Sequence, residues 1–182
     1  MDKKKDIETT GAFYRQLFNS SRYVLLVLVI ASIIKLYALP TMEESYAIII
    51  LLSLTLLKIG FIIALSLSQL MKIIGQSHLL SHVLVLFGYL ILLVILSFAI
   101  DFTALQFLDA THFKINNSVG ENGLSKFFDL SYFSLVTFSS VGFGDIVPIT
   151  IPAKILVTLE ILLRFFVLVF GIANVNRIRV NK

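Results

Sequence analysis

Residues 83–100 contain no charged side chain, and comparable apolar runs recur along the chain. An α-helix rises about 1.5 Å per residue and a bilayer core is about 30 Å thick, so roughly 20 apolar residues make one crossing. Inside lipid the backbone must satisfy its own hydrogen bonds, which makes helices the natural element for runs of this length. Of the 182 residues, 58% are hydrophobic and 14% charged, whereas a soluble domain carries about a quarter charged residues. An ordinary soluble enzyme is therefore disfavoured. With no cysteine, disulfide frameworks, thiolate metal sites and cysteine nucleophiles are excluded.

Taken in order, the chain divides into a basic N-terminal segment (1–22), a transmembrane hairpin (23–70), a short link (71–82), a longer C-terminal unit (83–176) and a basic tail (177–182). The first segment is open to a short interfacial helix bearing Phe13, Tyr14, Leu17 and Phe18. A cleaved signal is disfavoured, because the first apolar run begins far from the start and ends at Lys35, Leu39 and Pro40 without a small-residue site. Pro40, Glu43 and Glu44 mark the turn between spans at 23–39 and 46–70. The link carries Lys72, Gly75, His78 and His82, and a third span covers 83–108. A polar stretch then runs to residue 126. The apolar run at 127–140 is too short to cross and reads as a re-entrant helix, and a fourth span covers 153–173.

Charge sets the orientation. Lys3, Lys4, Lys5, Arg15 and Arg22 precede the first run, Lys72 lies in the link, and Arg177, Arg179 and Lys182 follow the last run. Four spans place both termini and the link in the cytoplasm, in accord with the positive-inside rule. The net charge of +4 is thereby membrane orientation rather than a nucleic-acid footprint. The expected fold is an all-α, multi-pass protein of the cell membrane.

The segment at 132–148, YFSLVTFSSVGFGDIVP, resembles the pore loop of potassium channels, in which a T-V-G-Y-G string precedes an aspartate. Here the string is Ser140-Val141-Gly142-Phe143-Gly144-Asp145, and its Ser and GFG form is similar to the filter of ether-à-go-go type channels. The resemblance covers about residues 83–173: outer helix, pore helix, filter and inner helix. It implies a small bacterial-type channel with an added N-terminal hairpin, and backbone carbonyls of Ser140, Val141, Gly142 and Phe143 facing potassium, with Gly144 closing the filter. Tyr132, Thr137, Ser139 and Asp145 would support it, Asp145 bonding behind the filter where Tyr132 matches its usual aromatic holder. The chemistry needs such a string because a dehydrating cation requires oxygens on all sides, and Gly142 and Gly144 adopt positive φ at little cost. Val141 and Phe143 would turn outward. One loop supplies a quarter of a ring, so a homotetramer is implied, with potassium as its only ion and no cofactor, nucleic acid or small-molecule substrate.

The remaining charges sit within the spans, where ionisable residues are usually functional. Glu160 and Arg164 share a helix face at i, i+4 and are expected to pair, as a structural bridge or a gating element. In the family a flexible glycine commonly sits twenty residues past the second filter glycine, where this chain has Arg164; Gly171 offers a lower bend. Lys35 is expected to snorkel outward, and Asp101 is the partner expected for Lys58 by depth. Neither early span carries regularly spaced arginines, so weak voltage dependence is expected. His78 and His82 lack a third ligand, so no transition-metal site is expected. Asn116 opens an N-x-S acceptor string. Few residues follow the last run, so no ligand-sensing domain is expected there. The leading expectation is passive potassium conduction; the alternatives are a less selective cation channel, or a non-conducting scaffold or transporter subunit. No Ser-His pair, aspartate pair or metal cluster within the spans points to an enzyme.

Overall fold

The computed structural model describes residues 22, 25–76, 80–116, 120 and 122–175; side chains of residues 69–83 and 170–175 are outside the description. Five helices and one small sheet make up the described chain. The first helix, α1, covers Leu25–Thr41 and is irregular at its end, widening through a π turn at Ile34–Ala38 and then tightening into a 3₁₀ turn at Leu39–Thr41 that contains Pro40. Proline lacks the N–H that would continue the α pattern. Helix α2 follows at Glu44–Gln76 and α3 at Leu80–Leu108.

Within the expected link at 71–82, the described residues 71–76 and 80–82 are helical. Lys72 and His82 fall inside α2 and α3, and three residues at most separate the two helices. The sequence between Leu70 and Val83 mixes apolar and polar residues and contains no proline, so the helix runs on past Gly75 to Gln76. The His78 and His82 side chains, residues 1–21 of the basic N-terminal segment and the C-terminal tail lie outside the described residues.

Among the described residues two helices, Glu44–Ser68 within α2 and Leu84–Leu108 within α3, are long and apolar enough to cross a membrane; four spans were expected. Helix α1 is apolar but shorter. The last helix, α5, covers Ile151–Val175, long enough at about 37 Å, but carries Lys154, Glu160 and Arg164. The distribution of polarity is inverted relative to a soluble core. Lys35, Lys58, Asp101 and Glu160 are buried, while Leu26, Val29, Leu57, Leu92, Leu162 and Phe165 are exposed. Apolar exposure on this scale marks a surface made for lipid or for a partner.

Helix α3 is the hub. It packs against α1, α2, α5 and the short helix α4, Gly123–Ser139. An aromatic cluster fastens this centre: Phe102 on α3 lies 5.2 Å from Phe133 on α4 and 5.4 Å from Phe113, and Phe113 lies 5.6 Å from Phe133, measured between ring centroids. Such tilted and edge-on pairs are favourable beyond the area they bury. The polar stretch after α3 is not structureless. Phe113–Ile115 forms strand β1, which pairs antiparallel with β2, Ile146–Pro148, in the register Phe113 to Pro148 and Ile115 to Ile146.

Candidate functional site

Helix α4 begins four residues before the expected boundary because Asn122 caps it, its side chain accepting the Ser125 N–H at 2.8 Å. An N-cap of this kind satisfies one of the helix's free donors. The helix ends after Ser139, where Ser140 turns left-handed at φ 59° and ψ 29°. The Ser140 N–H donates to the Thr137 carbonyl at 3.0 Å and the Val141 N–H to Val136 at 3.1 Å. This is the Schellman closure, whose left-handed position usually holds glycine. Serine there accepts a cost of about 1 kcal/mol.

The left-handed residue is the first of three. Gly142 has φ +63° and Gly144 φ +77°, while Val141 and Phe143 between them keep negative φ. Positive φ at both glycines was expected; the same conformation at Ser140 has no signal in the residue type. A Cβ added at either glycine would meet nothing within 4 Å, so backbone conformation rather than crowding within the chain calls for glycine. The segment stands exposed, with Val141 54% and Phe143 68% accessible. Phe143 stacks on Tyr132 with centroids 6.4 Å apart and planes 2° from parallel. The Tyr132 hydroxyl and the Asp145 carboxylate also interact.

Asp145 is held from the other side by the turret, the stretch at 109–122 between α3 and α4. Its carbonyl accepts the Asn116 N–H at 3.0 Å, and its carboxylate accepts the Ile146 N–H at 3.1 Å. The β1–β2 pairing continues into a clasp: the Ile149 N–H donates to the His112 carbonyl at 2.9 Å, and His112 Nδ1 lies 2.6 Å from Thr150 Oγ1. Hydrogen bonds from the backbone and side chain of Thr111 hold Asp109 below the usual carboxylate range. Burial pushes the His112 imidazole below its ordinary value, against the pull of Asp109 and Glu44. Of the other residues named as supports, Ser139 bonds back to the Val136 carbonyl at 3.1 Å, and Thr137 contributes its carbonyl to the helix closure.

The charges behind the site are arranged differently from the expectation. No ion pair joins Glu160 to Arg164 among the described residues. Glu160 is fully buried, and its Oε1 lies 2.6 Å from the Ser134 hydroxyl on α4, which in turn lies 2.9 Å from the Ile95 carbonyl on α3. Arg164 is half-buried, its guanidinium 5.1 Å from the Phe165 ring centre. To follow Glu160 into that contact the guanidinium would have to shed its remaining solvent, a penalty that pairing does not reliably offset.

Lys35 does not snorkel either. It lies in the π turn of α1, is buried, and donates to Asp101 Oδ1 at 2.6 Å and to Thr55 at 3.0 Å. Lys58 pairs with Asp101 Oδ2, as its depth suggested, donates to the Ser97 carbonyl at 3.2 Å and lies 3.8 Å from the Phe98 ring centre. Thr55 donates to the same Oδ2 at 2.9 Å. One carboxylate on α3 thus gathers α1 and α2. Reading Lys35 by its distance from the end of the span missed this, because the π turn and not the span's length decides where the side chain points. Ser134, Thr55 and His112 were missed as well; a hydroxyl isolated in an apolar helix was the available signal for the first two.

A family model described as an ion channel matches residues 88–180, just over half of the chain, from early in α3 through α4 and the glycine string and beyond α5. No curated protein and no solved structure matches the chain.

Proposed function

The chain belongs to the ion-channel family, and from that premise we propose that it is a potassium-selective channel, passing the ion passively through a filter at residues 140–144 lined by the carbonyls of residues 140–143. The observation that carries this reading is the left-handed backbone at Ser140, Gly142 and Gly144, alternating with Val141 and Phe143. Reversing the sign of φ at every second residue lets successive carbonyls turn toward one side, as a cation that sheds its water requires. Helix α4 ends on this string, so its partially negative C-terminus supports a cation there.

One chain supplies one such strand. A closed ring of oxygens therefore needs four copies in cyclic symmetry, and the exposed Val141 and Phe143 are surfaces that neighbouring copies would cover. In this reading α1 and α5 cross the membrane together with α2 and α3, both termini face the cytoplasm, and the turret lies outside. Ser140 supplies the innermost hydroxyl, and Asp145, tied to Tyr132 and Asn116, braces the outer end.

A second reading, a cation channel of weaker selectivity, is favoured by Phe143. The ring stacks flat on Tyr132 and has no hydroxyl with which to brace the filter. The test is reconstitution of the purified chain in vesicles with a potassium flux assay, followed by reversal potentials in mixed potassium and sodium. A reversal potential that follows the potassium gradient supports the first reading, and one midway between the two ions the second. No flux would leave a scaffold and overturn both.

A further inference from the structure

The residue that fastens the turret to the start of α5 is His112. Its carbonyl accepts the Ile149 N–H, its N–H donates to the Asp109 carbonyl at 3.3 Å, and its Nδ1 meets Thr150. The side chain is 4% exposed, and Nε2 has no hydrogen-bond partner. The charged groups acting on the ring are Asp109 from the turret and Glu44 from the first turn of α2; from the α5 side the contact is the Thr150 hydroxyl. Glu44 Oε1 stands 3.9 Å from Nε2, beyond hydrogen-bond reach.

Either neutral tautomer fits this pocket at modest cost, since one ring nitrogen serves Thr150 and the other leaves a single neutral group unpaired. A protonated ring does not fit in the same way. It places a charge in a buried site and gives Nε2 a hydrogen with no acceptor in range. The ring must then either draw Glu44 inward or leave Thr150, and leaving Thr150 loosens the clasp that holds Asp145 and the outer end of the glycine string.

We propose that His112 is a proton-binding site on the outer face of the protein, whose protonation releases the β1–β2 clasp and lowers conduction through the string it braces. The inference rests on the channel reading above and on the orientation that puts the turret outside. The sign follows from burial, which holds the imidazole below its ordinary value of 6.5. The clasp's contribution is complete above that value and is lost as pH falls through the lower, folded-state value. Glu44 and Asp109 favour the proton, so removing either anion moves the loss to more acid pH.

The test uses the full chain in vesicles or planar bilayers, with the inner solution fixed and the outer one acidified. Potassium current should be lost progressively as the outer pH falls below the ordinary imidazole value of 6.5. His112→Gln should conduct without that fall, and Glu44→Gln should show it at more acid pH. A wild-type current indifferent to outer pH, or a fall that persists in His112→Gln, overturns the proposal while leaving the channel reading intact. Absence of any potassium flux overturns the channel reading and the proposal with it. A measurement independent of conduction is the ring titration of the wild-type protein, followed by NMR of labelled histidine and assigned by loss of its signal in His112→Gln. A midpoint below the ordinary value, lowered further by Glu44→Gln, supports the site; a midpoint at or above the ordinary value refutes it.

Discussion

Asp101 accepts from Lys35, Lys58 and Thr55 in a site where the two lysines are 1% and 3% exposed, so Asp101→Asn should be among the most damaging isosteric changes available to this chain. The amide keeps the shape of the carboxylate and removes its charge, stranding two buried ammonium groups. Breaking one buried pair in this way costs about 3–5 kcal/mol, a large share of a total stability of about 5–15 kcal/mol. For a chain of this size that corresponds to a melting temperature lower by roughly 6–20 °C, measurable on the detergent-solubilised protein by thermal denaturation followed by size-exclusion chromatography. Replacing all three charges, as Lys35→Met, Lys58→Met and Asp101→Leu together, should leave stability unchanged or raise it by about 1–4 kcal/mol, because the desolvation penalty goes with the charges. Exchanging Lys58 and Asp101 should not restore what either single change loses, since a lysine at position 101 would face Lys35. An Asp101→Asn protein melting within about 2 °C of wild type would refute the view that this carboxylate neutralises the hairpin lysines.

Three further outcomes follow from the same contacts. Gly142→Ala should abolish potassium current while surface protein persists, because the strain of about 1–2 kcal/mol lies in the backbone conformation and not in crowding; a persistent potassium-selective current would remove the filter assignment. Glu160→Gln, which keeps the contact with Ser134, should lie within about 1 kcal/mol of wild-type stability, whereas Glu160→Ala should lose about 2–4 kcal/mol through the cavity it leaves, the Ser134 hydroxyl keeping the Ile95 carbonyl as its partner. A double-mutant cycle with Arg164→Ala should then show coupling below about 0.5 kcal/mol, and a clearly larger value would restore the ion pair. Asp109→Asn should lower the melting temperature near neutral pH, and the difference from wild type should vanish as pH falls through the depressed Asp109 value, below 3.8; a difference independent of pH would assign the effect to packing.

The helices and the glycine string were legible because their signals are local. An uncharged run of 18 residues, an apolar run too short to cross and a G-x-G string each report on their own backbone, and α2, α3, α4 and the left-handed glycines stand where those signals put them. What the residues did not reveal depends on neighbours distant in sequence. The turret read as polar loop because β1 is three residues long and its partner lies more than thirty residues away, beyond the glycine string. The i, i+4 spacing of Glu160 and Arg164 is a permission to pair and says nothing of Ser134, which arrives from another helix. Lys35 was assigned to solvent on depth alone, without the π turn that its own sequence does not announce.

These long-range contacts bear on how the hairpin relates to the part of the chain that carries the glycine string. By the family resemblance, residues 23–70 look like an appendage to a self-sufficient unit at 83–173. The buried charges argue for one cooperative body. Asp101 belongs to α3, yet its counter-charges come from α1 and α2. Without the hairpin, α3 would present an uncompensated carboxylate to lipid, and without α3 the hairpin would present two ammonium groups. Each half alone carries a penalty of several kcal/mol that the other removes. The same helix holds α4 through the Phe102, Phe113 and Phe133 cluster and through the Ile95 carbonyl bound to Ser134. A displacement of α1 or α2 would therefore reach α4 and its left-handed terminus through α3, a route by which the hairpin can act on the glycine string.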